Sequence, residues 1–431
     1  MINKYALPEM IKIFSEENHY QLMLDVAITT CEAMADIGQM PQETYQEIKK
    51  KAVFDIHRIA EVESVTQNGM VAFLNSVVES IGPAANYLYR GISAMDIKDT
   101  ALSLQIHKAS DLLLGKLSHL RAFLAEMAKE HKDTLMIGRT HSTHAEPITF
   151  GLKMALWTKE IDRAIVRLNN ARNVMAVGKL SGTVGSFSML DPRVETFVCR
   201  RLGLYPAYVT NQLLQRDRHA EFVTTLAIIG GSLEKFATEL RHLQSTDVLE
   251  VEEGVREGQK DSAVMPHKRN PIISERICGM ARILRGNALV ALEDIPIWHE
   301  RDTTHNVPEE IIFSDSCCLL DYMLYHFTKT MENLIIYPEN MRRNIDKTVG
   351  LIFSQRVMIK MLENGATWDI AYELVQRNAK EAWNQQIDFQ FLLLEDKDVA
   401  KYLAKDELMG LFDFSYFTRN IDYIFTRAGL D

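Results

Sequence analysis

Ser262, Lys268 and Asn270 stand close together in the run Ser262-Ala263-Val264-Met265-Pro266-His267-Lys268-Arg269-Asn270-Pro271. A hydroxyl, an ammonium and an amide meet there, just ahead of a proline suited to the first position of a helix and after an asparagine suited to capping it. The first amides of a helix point outward and carry partial positive charge. With Lys268 and Asn270 beside them, the place suits a carboxylate, above all one that gains negative charge during a reaction. Glu275 falls in the first turn of the same helix, where a carboxylate also compensates the helix dipole. Upstream, His141 and His144 lie in one short stretch with Glu146. A histidine titrates near neutrality and can serve as a general acid or base. The same residue type also serves as a packed core side chain. The His/His/Glu group loosely suits a metal, although the zinc-protease spacing is absent.

These residues need elements to hold them. Helical periodicity dominates the chain, and strand-like alternation is scarce. Leu226, Ile229, Leu233, Phe236, Leu240 and Leu243 recur in alternating steps of three and four, the stripe of a packed long helix. Leu152, Leu156, Ile161, Ile165 and Leu168 repeat the pattern more loosely. The stripe is read as core and carries no chemistry. Two irregular stretches interrupt the helices, Gly178 to Ser188 and Gly258 to Asn270. Loops of that length inside a compact domain usually carry function. The expectation is an all-α fold with a central bundle of long helices. Its domains are expected at 1–92, 93–340 and 341–431, on punctuation at Gly82-Pro83, Gly91 and Pro338 to Asn340.

A chain of 431 residues has room for about three domains. Hydrophobic content of 47% with 25% charged residues describes a soluble protein with a substantial core. The net charge of −10 argues against nucleic-acid binding through bulk charge, and an anionic substrate then needs a local basic pocket. The five cysteines, Cys31, Cys199, Cys278, Cys317 and Cys318, are scattered without zinc-ligand spacing, which points to a reduced cytoplasmic setting. The start has no apolar leader core, and no apolar run approaches the roughly 18 residues of a membrane span. No dinucleotide or P-loop fingerprint is present, so no cofactor is expected.

The decamer resembles the signature of the fumarase/aspartase superfamily, Gly-Ser-Ser-x-Met-Pro-x-Lys-x-Asn-Pro. Its ending is most similar to the adenylosuccinate lyase branch. Gly138-Arg139-Thr140-His141 with His144-Ala145-Glu146-Pro147, Leu214-Gln215-Arg216-Asp217-Arg218-His219 and Trp298-His299-Glu300-Arg301-Asp302 resemble the same branch in order and spacing. The resemblance covers nearly the whole chain. It implies three helical domains, a homotetramer around a central helix bundle, and active sites each built from three chains. It implies β-elimination, in which a C–N bond breaks and fumarate leaves. That reaction needs a base, an acid and a holder for the carbanion's charge.

By resemblance Ser262 is the base, matching the first serine of the family pair. The helix start and Lys268 would stabilise its alkoxide. His141 is the acid, and Glu275 orients it. Lys268 and Asn270 hold the carboxylate that becomes the aci-anion, with Thr140 and Ser93 as further carboxylate contacts. Gln212, Arg276 and Arg301 match positions that contact substrate, although arginines in general serve as often in surface ion pairs. Lys4 and Tyr5 match an Arg-Tyr pair near the family's N-terminus, and Met265 belongs to the signature.

The departures from the family gather where it holds the nucleotide. Gln67, Asn68 and Gly69 replace Arg-His-Asp, and Tyr89 replaces a histidine. Asn306 and Glu310 stand where the family has a phosphate-holding Ser and Arg. A phosphate monoester carries about −1.5 to −2 charge and favours Arg forks, so Glu310 opposes it. Within the signature, Asp261 replaces Gly and Ala263 replaces the second Ser; a carboxylate beside the base opposes its ionisation. The expected function is thus a C–N lyase releasing fumarate from a small anionic N-succinyl compound; the departures suggest an altered amine half, and adenylosuccinate itself stays open as the substrate. The rivals are a non-catalytic paralogue that keeps the scaffold, and argininosuccinate or aspartate cleavage.

Overall fold

The computed structural model describes residues 3–254 and 264–431. The expected all-α class holds. Long helices cover Ala94–Glu130, Phe150–Met175, Asp217–Leu243, Ile272–Glu293 and Asn306–Glu332. The strands among the described residues pair two by two: Leu135–Thr140 antiparallel with Thr143–Thr149, Val177–Gly178 parallel with Tyr205–Pro206, and Val251–Glu252 antiparallel with Ile335–Ile336. No helix among the described residues is long and apolar enough to cross a membrane.

The chain divides into two compact units. The first comprises 1–119, 162–237 and 275–328, and the second 120–161, 238–274 and 329–431. In the first, Leu226, Ile229, Leu233 and Phe236 are fully buried, as their spacing predicts. The looser stripe is corrected. Leu156 is 58% exposed, whereas Met154, Trp157, Ile161, Ala164, Leu168, Ala171 and Met175 are buried. Those seven follow steps of three and four without a break, so the core face of Phe150–Met175 includes alanines and methionines that a search for branched aliphatics passes over.

An apolar cluster in the first unit joins the helices Glu16–Asp36, Gly69–Ile81 and Pro192–Leu202, with Phe73, Val77, Val194 and Val198 fully buried. The Gln67-Asn68-Gly69 stretch is the turn between two of its helices. Gln67 ends Ile56–Thr66 in the left-handed region at φ 52°. Asn68 caps Gly69–Ile81, its Oδ1 accepting from the amides of Met70 and Val71 at 3.1 and 3.2 Å. A Cβ on Gly69 would lie 2.8 Å from Glu63 Oε1. Each residue of the altered tripeptide therefore has a local structural role. A second cluster, in the second unit, gathers Val357, Met361, Phe389, Leu393 and Val399 from the C-terminal helices.

Candidate active site

His141 occupies the tip of the hairpin Leu135–Thr140/Thr143–Thr149. Its two-residue turn is His141-Ser142, with φ of 53° and 63°. A turn with both central residues left-handed matches strand twist and normally takes Asn-Gly. Placing His and Ser there costs about 1–3 kcal/mol at each residue, strain of a kind that clusters at functional sites. The tip is exposed, and Thr143 Oγ1 closes it by donating to Thr140 O at 2.9 Å. Gly138 lets the strands approach, since a Cβ there would meet Glu146 O at 2.8 Å. Below the tip, Arg139 donates two bonds to Glu250, at 2.9 and 2.6 Å, and Glu250 is fully buried. Asn344 Nδ2 donates to the same carboxylate at 2.8 Å. This buried fork fixes the hairpin stem. His144 is held below the usual histidine range by burial and then by Arg139. A cleft of about 1110 Å³ opens beside the hairpin, lined by Arg139, Thr140, His144, Lys153, Lys347 and Trp383.

The signature segment is described from Val264 onward; Ser262, with Asp261 and Ala263, lies outside the described residues. Met265 is 44% exposed and Lys268 is exposed, with the Lys268 amide donating to Met265 O at 3.0 Å. Asn270 and Pro271 are half-buried ahead of the helix Ile272–Glu293. One expectation is overturned here. The amides of Ile273 and Ser274, read as open to a substrate carboxylate, donate to Glu253 at 3.2 and 2.9 Å, and Ser274 Oγ donates to it at 2.5 Å. Glu253 is buried, so the helix start already holds an internal anion. Gln244 braces the segment, donating to Arg269 O at 3.4 Å and accepting from the Glu253 amide at 3.0 Å. Among the described residues of this segment, Lys268 is an exposed cation, while Arg269 pairs with Glu252 at 3.5 Å.

The remaining candidates belong to the first unit. Arg276 Nη1 donates to Tyr322 Oη at 2.7 Å, and its guanidinium lies 5.9 Å from the Tyr5 ring centroid. Tyr5 meets Tyr322 edge-on at 5.7 Å, and Lys4 Nζ lies 5.5 Å from the Tyr5 ring. Lys4, Tyr5 and Arg276 are thus one group, organised by Tyr322, which nothing in the sequence singles out. Arg301 donates to Gln212 Oε1 at 3.3 Å, and burial lowers its pKa. Ser93 caps the helix Ala94–Glu130: its Oγ accepts from the Asp96 amide at 3.3 Å, and Asp96 accepts from the Ser93 amide at 2.7 Å. Glu275 is exposed in the first turn of its helix. The Tyr89 hydroxyl is buried with no partner among the described residues.

Sequence reasoning missed the densest charge cluster of this unit. Arg216 is 2% exposed and forks to two carboxylates. It donates to Glu309 at 2.6 and 3.0 Å and to Asp99 at 3.1 Å twice. Burial pushes the Asp99 carboxyl up, but Arg216 outweighs it and holds Asp99 below the usual carboxylate range. His219 and His305 are buried nearby, and neither ring nitrogen of His305 has a partner among the described residues. The signal was the Arg-Asp-Arg-His string, read only as a likeness. Beside the cluster, a cavity of about 470 Å³ is lined by Glu16, His19, Glu63, Lys98, Asn306 and Glu310 among others, with Tyr20 and Phe313 in its wall.

Comparison with known proteins identifies the family. The "Lyase" family model matches residues 3–286, and that of the "Adenylosuccinate lyase C-terminus" matches residues 350–428. The chain is 46% identical to adenylosuccinate lyase of Bacillus subtilis over 430 residues, covering 100% of both. It is 45% identical to that of Synechocystis sp. over 431 residues, again covering 100% of both. Among solved structures, a fumarate lyase from Mesorhizobium sp. superposes with a TM-score of 0.90 at 26% identity, over 98% of each chain. A 3-carboxy-cis,cis-muconate lactonizing enzyme from Pseudomonas putida does so with a TM-score of 0.89 at 28% identity, over 98% of this chain and 96% of that one. With end-to-end identity of this order and a matching C-terminal module, the chain belongs to the adenylosuccinate lyase family.

Proposed function

We propose that Ser262 is the base and His141 the acid of a β-elimination that releases fumarate from an N-succinyl compound. As a member of its family the chain is a carbon–nitrogen lyase. The observation that carries the reading is identity to adenylosuccinate lyases along the entire chain. The Ser262 alkoxide takes the proton from the carbon next to the distal carboxylate. The electron pair moves into that carboxylate, and Lys268 and Asn270 hold the aci-anion. His141, oriented by Glu275, gives a proton to the nitrogen as the C–N bond breaks. Fumarate and the free amine leave. Thr140 and Ser93 serve the carboxylates, while Lys4, Tyr5, Gln212, Met265, Arg276 and Arg301 serve the rest of the substrate.

The strained, exposed tip that presents His141 supports a site completed by other copies of the chain, in a homotetramer with shared active sites. We also propose the domain division 1–92, 93–340 and 341–431, a cytoplasmic location, a small anionic substrate, and neither nucleic acid nor membrane as partner. No cofactor enters the scheme, because proton transfer and charge stabilisation are both assigned to side chains.

The test is fumarate absorbance after addition of adenylosuccinate and other N-succinyl amines to purified protein. Turnover by wild type that disappears in Ser262→Ala is the expected result; no fumarate from any such compound overturns the reading. One observation favours an amine half without phosphate. Gly69, Asn306 and Glu310 line a single cavity together with Glu16 and Glu63. Lower kcat/KM for adenylosuccinate than for its dephosphorylated nucleoside form is then expected, and the reverse order removes this second reading.

A further inference from the structure

The chemistry above makes no use of the Gly178–Ser188 loop, although its first part is among the most buried polar segments of the first unit. Lys179 is fully buried and its ammonium is ion-paired with Asp96, which is also fully buried. Asp96 accepts in addition from three backbone amides: Ser93 at 2.7 Å, Ser181 at 3.2 Å and Gly182 at 3.2 Å. Thr100 Oγ1 accepts from the Lys179 amide and donates to the Lys179 carbonyl, both at 3.1 Å. The contacts continue outward. Ser181 Oγ meets Thr210 Oγ1 at 2.6 Å, and a Cβ on Gly185 would lie 1.9 Å from Thr210 O, so the two loops press backbone to backbone. Gln212 follows two residues later and holds Arg301. Every one of these residues lies in the first unit.

A buried carboxylate with this many donors has one low-energy arrangement. Any displacement of the loop leaves an amide or a charge unmet in a medium that cannot resolvate it. The pair therefore sets where the Ser93 backbone, the 180–182 turn and the Thr210–Gln212 segment lie relative to one another. Resting on the lyase reading above, we propose that Asp96 and Lys179 are positioning residues of the reaction, holding Ser93, Gln212 and Arg301 in register for the substrate.

The experiment compares steady-state fumarate release, inhibition by added fumarate and thermal melting in wild type and three variants, using an N-succinyl compound that wild type turns over. Asp96→Asn/Lys179→Met removes both buried charges together. KM and the fumarate inhibition constant are expected to rise about tenfold, with kcat within about threefold of wild type, because the acid and base lie off this network. Ser181→Ala breaks the link to Thr210 and leaves the charges in place; the same constants are expected to rise about threefold. It carries the test if the double variant does not fold. Glu195→Gln is the control. Glu195 accepts from the Leu180 amide at 2.7 Å in the same loop, yet no hydrogen bond joins it to Ser93 or Ser181. A lower melting temperature with unchanged KM is expected there. A folded double variant, or Ser181→Ala, with both constants within about twofold of wild type overturns the inference while the lyase reading stands. Wild type that yields no fumarate from any N-succinyl compound overturns the lyase reading and this inference with it.

Discussion

Buried and exposed charged side chains do different work, and the two units weigh them differently. In the first, Asp96, Asp99, Lys179 and Arg216 are buried and each is paired. In the second, the residues assigned to the chemistry, His141 and Lys268, are exposed, and the buried ions Glu250 and Glu253 brace the segments that carry them. A buried ion costs several kcal/mol unless every hydrogen-bonding direction is met, so it pins backbone. An exposed one costs little and is available to a ligand. The types that catalyse and the types that brace are the same, and burial decides between them.

The strongest way to break that contrast is to change the two sets separately. His141→Ala and Ser262→Ala should each lower kcat by about 10³, within the usual range for a lost proton-transfer group. The melting temperature of His141→Ala should stay within a few degrees of wild type, because the side chain is exposed. A drop in kcat of less than tenfold for both variants would remove them from the chemistry. Arg216→Met should do the reverse. It leaves Asp99 and Glu309 facing each other without their shared cation, a loss of about 3–5 kcal/mol. Thermal melting checks it, and a melting temperature equal to wild type contradicts the bracing role.

The same contrast explains what the sequence disclosed. Helix class and the Leu226–Leu243 core stripe follow from periodicity, because a long packed helix repeats one constraint many times. His141, Lys268 and Asn270 are conspicuous because they occur in short strings with few structural readings. Tyr322, Glu253 and the Asp96–Lys179 pair meet their partners across long sequence separations, and nothing local marks them. The helix-start reading failed for that reason. Glu253 is remote from the Asn-Pro that announces the helix, yet its carboxylate takes the place given to substrate. The departures at 67–69 were legible as departures, but their capping role required the turn to be seen.

A gentler perturbation is pH. Burial and then Arg216 hold His219 down at about 3, and burial holds His305 at about 4, against an ordinary 6.5. Folding thus favours the neutral rings. Their contribution is fully present above about pH 6.5 and is lost as pH falls toward the folded values, because the unfolded chain takes up the protons first. Asp294, raised by burial to about 6, works in the other direction and loses its contribution as pH rises. The wild-type profile mixes the two, so the informative quantity is a difference. Relative to wild type, the melting temperature of His219→Leu should improve steadily as pH falls from about 6.5 to about 4. A constant offset across that range would mean that folding does not depress the pKa of the ring.

The smallest expected effect is the most specific one. Glu310 follows the first turn of Asn306–Glu332 and lines the cavity that also holds Glu16 and Glu63. A carboxylate repels a phosphate monoester, and in a partly solvated pocket the penalty is about 1–2 kcal/mol, or roughly tenfold in kcat/KM. Glu310→Gln keeps the shape and deletes the charge. If this cavity receives the amine half of the substrate, the variant should raise kcat/KM for adenylosuccinate severalfold and leave its dephosphorylated form almost unchanged. Glu310→Arg should push the ratio further the same way. Added salt should narrow the gap in wild type more than in Glu310→Gln, since screening acts on the charge that the substitution removes. Equal changes for both substrates would place Glu310 outside the pocket that distinguishes them, and the acidic lining would then belong with the bracing charges of the first unit.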